Sequence, residues 1–125
     1  MGAAIIHDRR VLAARRASPP AVAGWWEFPG GKLELGESPA EAVVREVREE
    51  LSCEVSVTGT LTGETSIRGG FVLRVATAEL VRGEPVPHEH DAIWWLGAGE
   101  LGRVGWLAPD LPFLPDLRRR LEMLR

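Results

Sequence analysis

Apolar residues recur along the chain in three rhythms, and each predicts a different kind of element. Residues 3–6 and 11–14 are short unbroken apolar runs on either side of His7-Asp8-Arg9-Arg10, the pattern of a hairpin of buried strands. Residues 17–20 (Ala-Ser-Pro-Pro) read as a loop, and residues 25–28 as a short bulky strand ahead of Pro29-Gly30-Gly31. From Ser38 the period becomes helical. Ser38 suits an N-cap, Pro39 the first helical position and Glu41 the third, which together make a capping box. Ala40, Val43, Val44, Val47 and Leu51 then fall on one face, with charges on the other. Two strand-like stretches follow, 54–61 and 71–81, separated by a Gly69-Gly70 turn, and a third, 92–96, comes after the loop 83–90. Past Pro109, Leu114, Leu117, Leu121 and Leu124 mark an amphipathic C-terminal helix. The sum is an α+β fold: a mixed sheet with one central and one terminal helix. Met1 falls almost inside the first strand, so a fuller strand is expected to begin upstream of it.

Composition narrows the class. With 125 residues the chain is expected to be one domain, 1–125, large enough to stand without disulfide or metal staples. Hydrophobic residues make up 45% and charged residues 26%, the balance of a folded chain and not of a disordered one. No apolar run approaches the ~20 residues of a membrane span, and the N-terminus lacks a secretory pattern. Cys53 stands alone, which excludes an internal disulfide framework and points to a reducing, cytoplasmic setting. A net charge of −3 argues against a protein that grips a nucleic-acid polymer through its phosphates. The chain contains neither Asn nor Gln, and Lys32 is its single lysine.

The candidate chemistry lies in Gly30-Gly31-Lys32-Leu33-Glu34-Leu35-Gly36-Glu37 and the helix residues Arg45-Glu46-Val47-Arg48-Glu49-Glu50. Helix geometry stacks Glu46 over Glu50, with Glu49 beside them. Such crowding of like charge is costly, and it persists where a hard divalent cation takes the carboxylate oxygens together with phosphate oxygens. A solvated acidic helix face explains the same three glutamates equally well.

The full spacing separates these readings. Gly31, five residues, Glu37, seven residues, then Arg45-Glu46-Val47, one residue and Glu49-Glu50 resembles the Nudix box. The motif departs at its end, where Ser52 stands for its glycine and Cys53 for its aliphatic residue. Those departures bear on the tightness of the helix C-terminus, not on the carboxylates. Residues 11–16 resemble the strand that enters the site in MutT-type members, and Trp25-Trp26-Glu27-Phe28-Pro29-Gly30-Gly31-Lys32 their stretch before the box. His88-Glu89-His90-Asp91 matches the loop that supplies a further carboxylate, and Trp106-Leu107-Ala108-Pro109-Asp110 the base-pocket segment.

The resemblance implies an α/β/α sandwich and Mg²⁺-dependent hydrolysis, with Mn²⁺ as a substitute cation, of a nucleoside diphosphate linked to another group. By position it implies Glu46, Glu49, Glu50 and Glu89 as metal ligands, with main-chain carbonyls at Gly30 or Gly31. Arg45 and Glu37 are expected to pair and hold the loop to the helix. The base that takes a proton from water is left open between Glu46 and Glu89. Arg16, Glu27, Phe28, Lys32, Arg68 and Asp110 are the expected substrate contacts. The partner is a small nucleotide, for a monomer or homodimer.

The compact plan suggests a nucleoside triphosphate split to monophosphate and pyrophosphate. With no amide side chain available, a carboxylate must read the base, and it favours pure donors: the cytosine amine, or N1–H and the amine of guanine. Asp110 sits where the MutT-like pattern places its base-reading residue, which leaves cytosine nucleotides, including modified ones, and 8-oxo-dGTP; the resemblance to bacterial CTP/dCTP-hydrolysing members puts cytosine first. Asp110 could instead cap the terminal helix. A Nudix-fold binding or regulatory domain without catalysis is the competing class, disfavoured because every box glutamate is present. An acidic partner-binding module leaves the glycine loop unexplained. Further expectations are that Glu89 rides a mobile loop, since Gly83, Pro85 and Pro87 offer little regular pairing, and that His88 and His90 are loop residues and not a transition-metal site. One tryptophan of each pair, 25–26 and 94–95, should face the core, with base stacking by one of them a minor possibility. Arg74 is a weak phosphate candidate, and Arg118-Arg119-Arg120 read as the solvated side of the last helix.

Overall fold

In the computed structural model, which describes residues 1–124, the apolar rhythm resolves into a six-stranded mixed sheet, a separate two-stranded hairpin and two α-helices. Strands β1 (Gly2–His7) and β2 (Arg10–Arg16) form the expected hairpin, whose turn holds Asp8 and Arg9 at φ 50° and 61°. Strand β3 is short (Trp26–Glu27) and is followed by helix α1 (Pro39–Leu51) and strand β4 (Glu54–Thr60). The hairpin β5–β6 (Thr65–Ile67, Phe71–Leu73) comes next, then β7 (Val75–Arg82), β8 (His90–Leu96) and helix α2 (Leu114–Met123).

The sheet runs β3-β2-β1-β7-β4, with β8 on the other side of β2; β1 and β7 are parallel and the remaining pairs antiparallel. Val11 pairs with Ile6 of β1 and Ala14 with Glu27 of β3, while both also face β8. As β2 runs on, β3 therefore takes the place of β1 beside it. That exchange is what opens the sheet at Glu27 and makes room for a site.

Strand alternation divides the core in two. Ala3, Ile5 and Leu12 pack with Val43, Val47 and Leu51 of α1, whereas Ala4, Val11 and Ala13 pack with Leu117 and Leu121 of α2. The result is the expected α/β/α sandwich. Trp26 and Trp95 pack against the two core clusters, while Trp25 and Trp94 are exposed.

Three features differ from the sequence reading. The stretch 71–81 is broken at Arg74, whose exposed side chain pairs with Glu64 (2.9 Å). Its first part turns away to build β6. Leu124 is exposed and lies beyond α2, which ends at Met123. In α2, buried Asp116 accepts the Thr62 amide (2.8 Å) and binds Arg119 and Arg120, and Arg120 donates to the Thr60 carbonyl (2.8 Å). Arg120 thus fastens the helix to the end of β4, while Arg118 and Arg119 are exposed as expected.

Candidate active site

Helix α1 starts as its sequence demands: Ser38 Oγ accepts the Glu41 amide (3.1 Å) and Glu41 accepts the Ser38 amide (2.8 Å). This end anchors the preceding glycine loop. Arg45 donates to both Glu37 oxygens, at 2.6 and 2.9 Å, and to the Lys32 carbonyl at 3.1 Å, so one guanidinium ties loop to helix. The pairing with Arg45 pulls the Glu37 carboxyl down to about 2. The same guanidinium reaches Glu46 (2.9 Å) and Glu49 (3.3 Å).

Two glycines are required by contact. Gly30, at φ 153°, would place a Cβ 2.1 Å from the Met1 carbonyl, and a Cβ on Gly31 would lie 2.5 Å from Glu46 Oε1. Glycine at 31 lets the Glu46 carboxylate rest against the loop backbone. The Gly31 carbonyl accepts from the Met1 amino group (2.8 Å). At the other end of α1, Ser52 itself takes the left-handed position (φ 56°, ψ 33°) and donates its amide to the Arg48 carbonyl (3.0 Å). The helix stops where the motif's glycine would stop it.

Glu50 is the anomaly. It is 4% exposed and its Oε2 has no hydrogen-bond partner. Burial, reinforced by the charges of Glu46, Glu89 and Glu27, pushes its carboxyl up to about 8, offset in part by the Gly30 amide. Among the described residues no three acidic, histidine or cysteine side chains form a ready-made cage, because Arg45 draws Glu46 and Glu49 to itself. The residues nevertheless suit a hard divalent ion: carboxylate oxygens with a main-chain carbonyl nearby, and one buried carboxylate oxygen without a partner.

Glu89 precedes β8 on a loop that is stitched down, contrary to the expected mobility. Val86 and His88 donate their amides to the last carbonyls of α1, Leu51 (2.8 Å) and Glu50 (3.0 Å), and His88 Nε2 meets Ser52 Oγ at 2.5 Å. Those helix-end carbonyls need partners, and the loop supplies them despite its prolines. The two histidines diverge: buried His90 turns inward to Glu27 (2.9 Å). Arg16, Ser18, Glu50, Glu89 and His90 line a pocket of about 280 Å³.

Beside it opens an apolar cleft of about 630 Å³ that shares Glu27, Phe28, Gly30, Gly31 and Lys32 with the loop. Its walls include Ile67, Phe71, Val72 and Leu73 of the β5–β6 hairpin and Leu107 and Pro109 opposite. Lys32 Nζ lies 4.4 Å from the centre of the Phe71 ring. Asp110, 5% exposed, also lines the cleft, and its Oδ2 accepts the Phe28 amide (3.1 Å). Burial, with the Glu27 charge behind it, pushes its carboxyl up to about 7. Asp110 belongs to the 3₁₀ turn Ala108–Phe113 and does not cap α2, whose N-cap is Phe113. Arg68 is exposed at the hairpin tip and lies outside the cleft lining. No tryptophan lines the cleft, which removes the stacking reading. The hairpin residues were missed from sequence; their signal was the Gly69-Gly70 pair between two three-residue strands.

Comparison with known proteins agrees with this geometry. The NUDIX domain model matches residues 1–117. A Mycobacterium tuberculosis protein provisionally named 8-oxo-dGTP diphosphatase 2 is 39% identical over 95% of this chain and 86% of its own. The CTP pyrophosphohydrolase of Escherichia coli is 33% identical over 91% of this chain and 86% of its own. The solution structure of the E. coli ORF135 protein superimposes with a TM-score of 0.81 at 32% identity, covering 99% of this chain and 89% of that one. No helix is long and apolar enough to cross a membrane among the described residues. The chain therefore belongs to the Nudix family, as a hydrolase of the nucleotide pyrophosphohydrolase type.

Proposed function

We propose that the enzyme splits a nucleoside triphosphate into monophosphate and pyrophosphate, and that its preferred base is cytosine, plain or modified. The observation that carries this reading is the buried Asp110 carboxyl in the apolar cleft beside the glycine loop. Its Oδ2 is engaged by the Phe28 amide, which leaves Oδ1 for a donor on the base. Cytosine offers one amine there; guanine offers two adjacent donors that ask for both oxygens. The apolar walls exclude water and strengthen that one bond.

Glu46, Glu49, Glu50 and Glu89, with a Gly30 or Gly31 carbonyl, hold Mg²⁺ or Mn²⁺ in this account. A bound divalent cation supplies polarisation of phosphorus and a lowered pKa for attacking water. Arg45 and Glu37 fix the loop so that helix and loop oxygens converge. Arg16, in the small pocket beside Glu50 and Glu89, meets phosphate. Lys32 covers the cleft mouth over Phe71. Glu46 or Glu89 accepts the proton of the attacking water.

The higher identity to the mycobacterial relative supports 8-oxo-dGTP as the second reading, and the cleft volume admits a purine. Values of kcat/KM for CTP, dCTP, 5-methyl-dCTP, dGTP and 8-oxo-dGTP at fixed Mg²⁺ separate the two. Cytosine nucleotides leading the panel is the expected result; 8-oxo-dGTP leading by ten-fold or more transfers the assignment to the second reading.

A further inference from the structure

Glu27 stands between the two cavities: it lines the apolar cleft, while its two donors, Arg16 and His90, line the small pocket with Glu50 and Glu89. Both donors take the same atom: Arg16 Nη1 at 3.3 Å and His90 Nε2 at 2.9 Å from Oε2. The imidazole is almost wholly buried, and its Nδ1 has no partner, so this histidine is kept inside for the bond to Glu27. Arg16 is itself tied to the Ser18 carbonyl, at 2.9 and 3.1 Å. A half-buried carboxylate is thus clamped by one oxygen between the base side and the phosphate side of the site. The charge of Glu27 bears on both ends, raising the carboxyls of Glu50 and Asp110.

A clamped carboxylate accepts hydrogen bonds and cannot donate them. It repels phosphate. A nucleotide offers it only base N–H groups and sugar hydroxyls, and Asp110 already occupies the base end. The sugar lies between base and phosphates, as Glu27 lies between the cleft and the small pocket. Resting on the triphosphate reading above, we propose that Glu27 Oε1 accepts a hydrogen bond from a hydroxyl of the substrate's ribose or deoxyribose, held in place by Arg16 and His90. Glu27 then sets sugar selectivity as Asp110 sets base selectivity.

The test compares sugars at a constant base. CTP, dCTP and 2′,3′-dideoxy-CTP differ only in the hydroxyls they carry, and kcat/KM for each is measured with the native enzyme, Glu27→Ala and Glu27→Gln. In parallel, metal-free binding of the three monophosphates is followed by calorimetry, which reads base and sugar contacts without turnover. The native enzyme is expected to lose about 10- to 100-fold at the step where the bonded hydroxyl disappears, the ordinary loss for a hydrogen bond to a charged acceptor. Glu27→Ala is expected to level that step in both assays. Glu27→Gln, whose amide oxygen can still accept, should keep part of it. A native enzyme indifferent to all three sugars, or a Glu27→Ala enzyme that weakens all three equally, overturns the proposal and leaves Glu27 as a strut for Arg16 and His90. Base selectivity for dCTP over dGTP, at a constant sugar, is read in the same series. Loss of that selectivity alone, with sugar ratios intact, contradicts the base assignment and not this one.

Discussion

Replacing Asp110 by Asn separates what the residue does for the fold from what it does for the base. The folded carboxyl titrates near 7 against an ordinary 3.8, chiefly because it is buried. Above pH 7 it is ionised in both folded and unfolded chains, and the folded form bears the full cost of burying charge. That cost is about 4 kcal/mol from the displacement of the pKa, with protein relaxation reducing it. Between pH 7 and pH 4 the folded acid takes up a proton that the unfolded chain lacks, so this group's penalty shrinks as pH falls. Below pH 4 both forms are protonated and the penalty is gone. Asparagine never ionises, and its oxygen can still accept the Phe28 amide. Urea unfolding of metal-free protein should find Asp110→Asn more stable than the native chain by about 2–4 kcal/mol at pH 8, a difference that closes to nearly zero at pH 4. Other groups titrate alike in both proteins and cancel. The same variant should lose about 10- to 100-fold in kcat/KM for its preferred base, with non-preferred nucleotides little changed. A stability difference independent of pH, or a variant less stable at pH 8 with all substrates equally impaired, refutes the reasoning.

Glu50→Gln should lower kcat by at least ~10², about 2.7 kcal/mol of barrier, yet raise the melting temperature of metal-free protein at pH 7, since it removes a buried carboxyl shifted to about 8; Glu49→Gln should match the rate loss without the stabilisation, being exposed. Arg45→Lys keeps the charge but not the two-pronged grip on Glu37, so kcat should fall at least about ten-fold, with faster amide exchange at residues 31–37 and an unchanged far-ultraviolet spectrum. Phe71→Ala should raise KM several-fold for every triphosphate while leaving the melting temperature nearly unchanged, because the ring is 47% exposed and only the cleft uses it.

The parts of the site that were legible in the sequence are those built by local rules. Ser38, Pro39 and Glu41 announce the start of α1, and the interval from Glu37 to Arg45 fixes a pair that one loop and two turns of helix can close. The unbroken apolar runs at residues 3–6 and 11–14 marked β1 and β2 as buried strands, and the packing of α1 on one face and α2 on the other accounts for the lack of a polar face. What stayed hidden depends on long-range meetings. His90 read as a loop histidine and is instead the first residue of β8 and a donor to Glu27, 63 positions away. The loop before β8 looked mobile from its glycine and prolines, but the open carbonyls at the end of α1 secure it. Asp110 looked able to cap α2, yet Phe113 holds the N-cap position, without a side-chain cap, and the aspartate faces the Phe28 amide, 82 positions away. Arg68 was placed on substrate by pattern, and only the hairpin geometry shows it outside the cleft.

The central claim is metal-dependent scission of a triphosphate at its inner phosphoanhydride. Incubating the native enzyme with CTP, with and without Mg²⁺, and resolving the products by phosphorus NMR tests it most directly. The account predicts CMP and pyrophosphate in equal amounts, only with metal, formed at least ~10²-fold more slowly by Glu50→Gln. CDP with orthophosphate, or no metal-dependent cleavage of any triphosphate in the five-nucleotide panel, contradicts it.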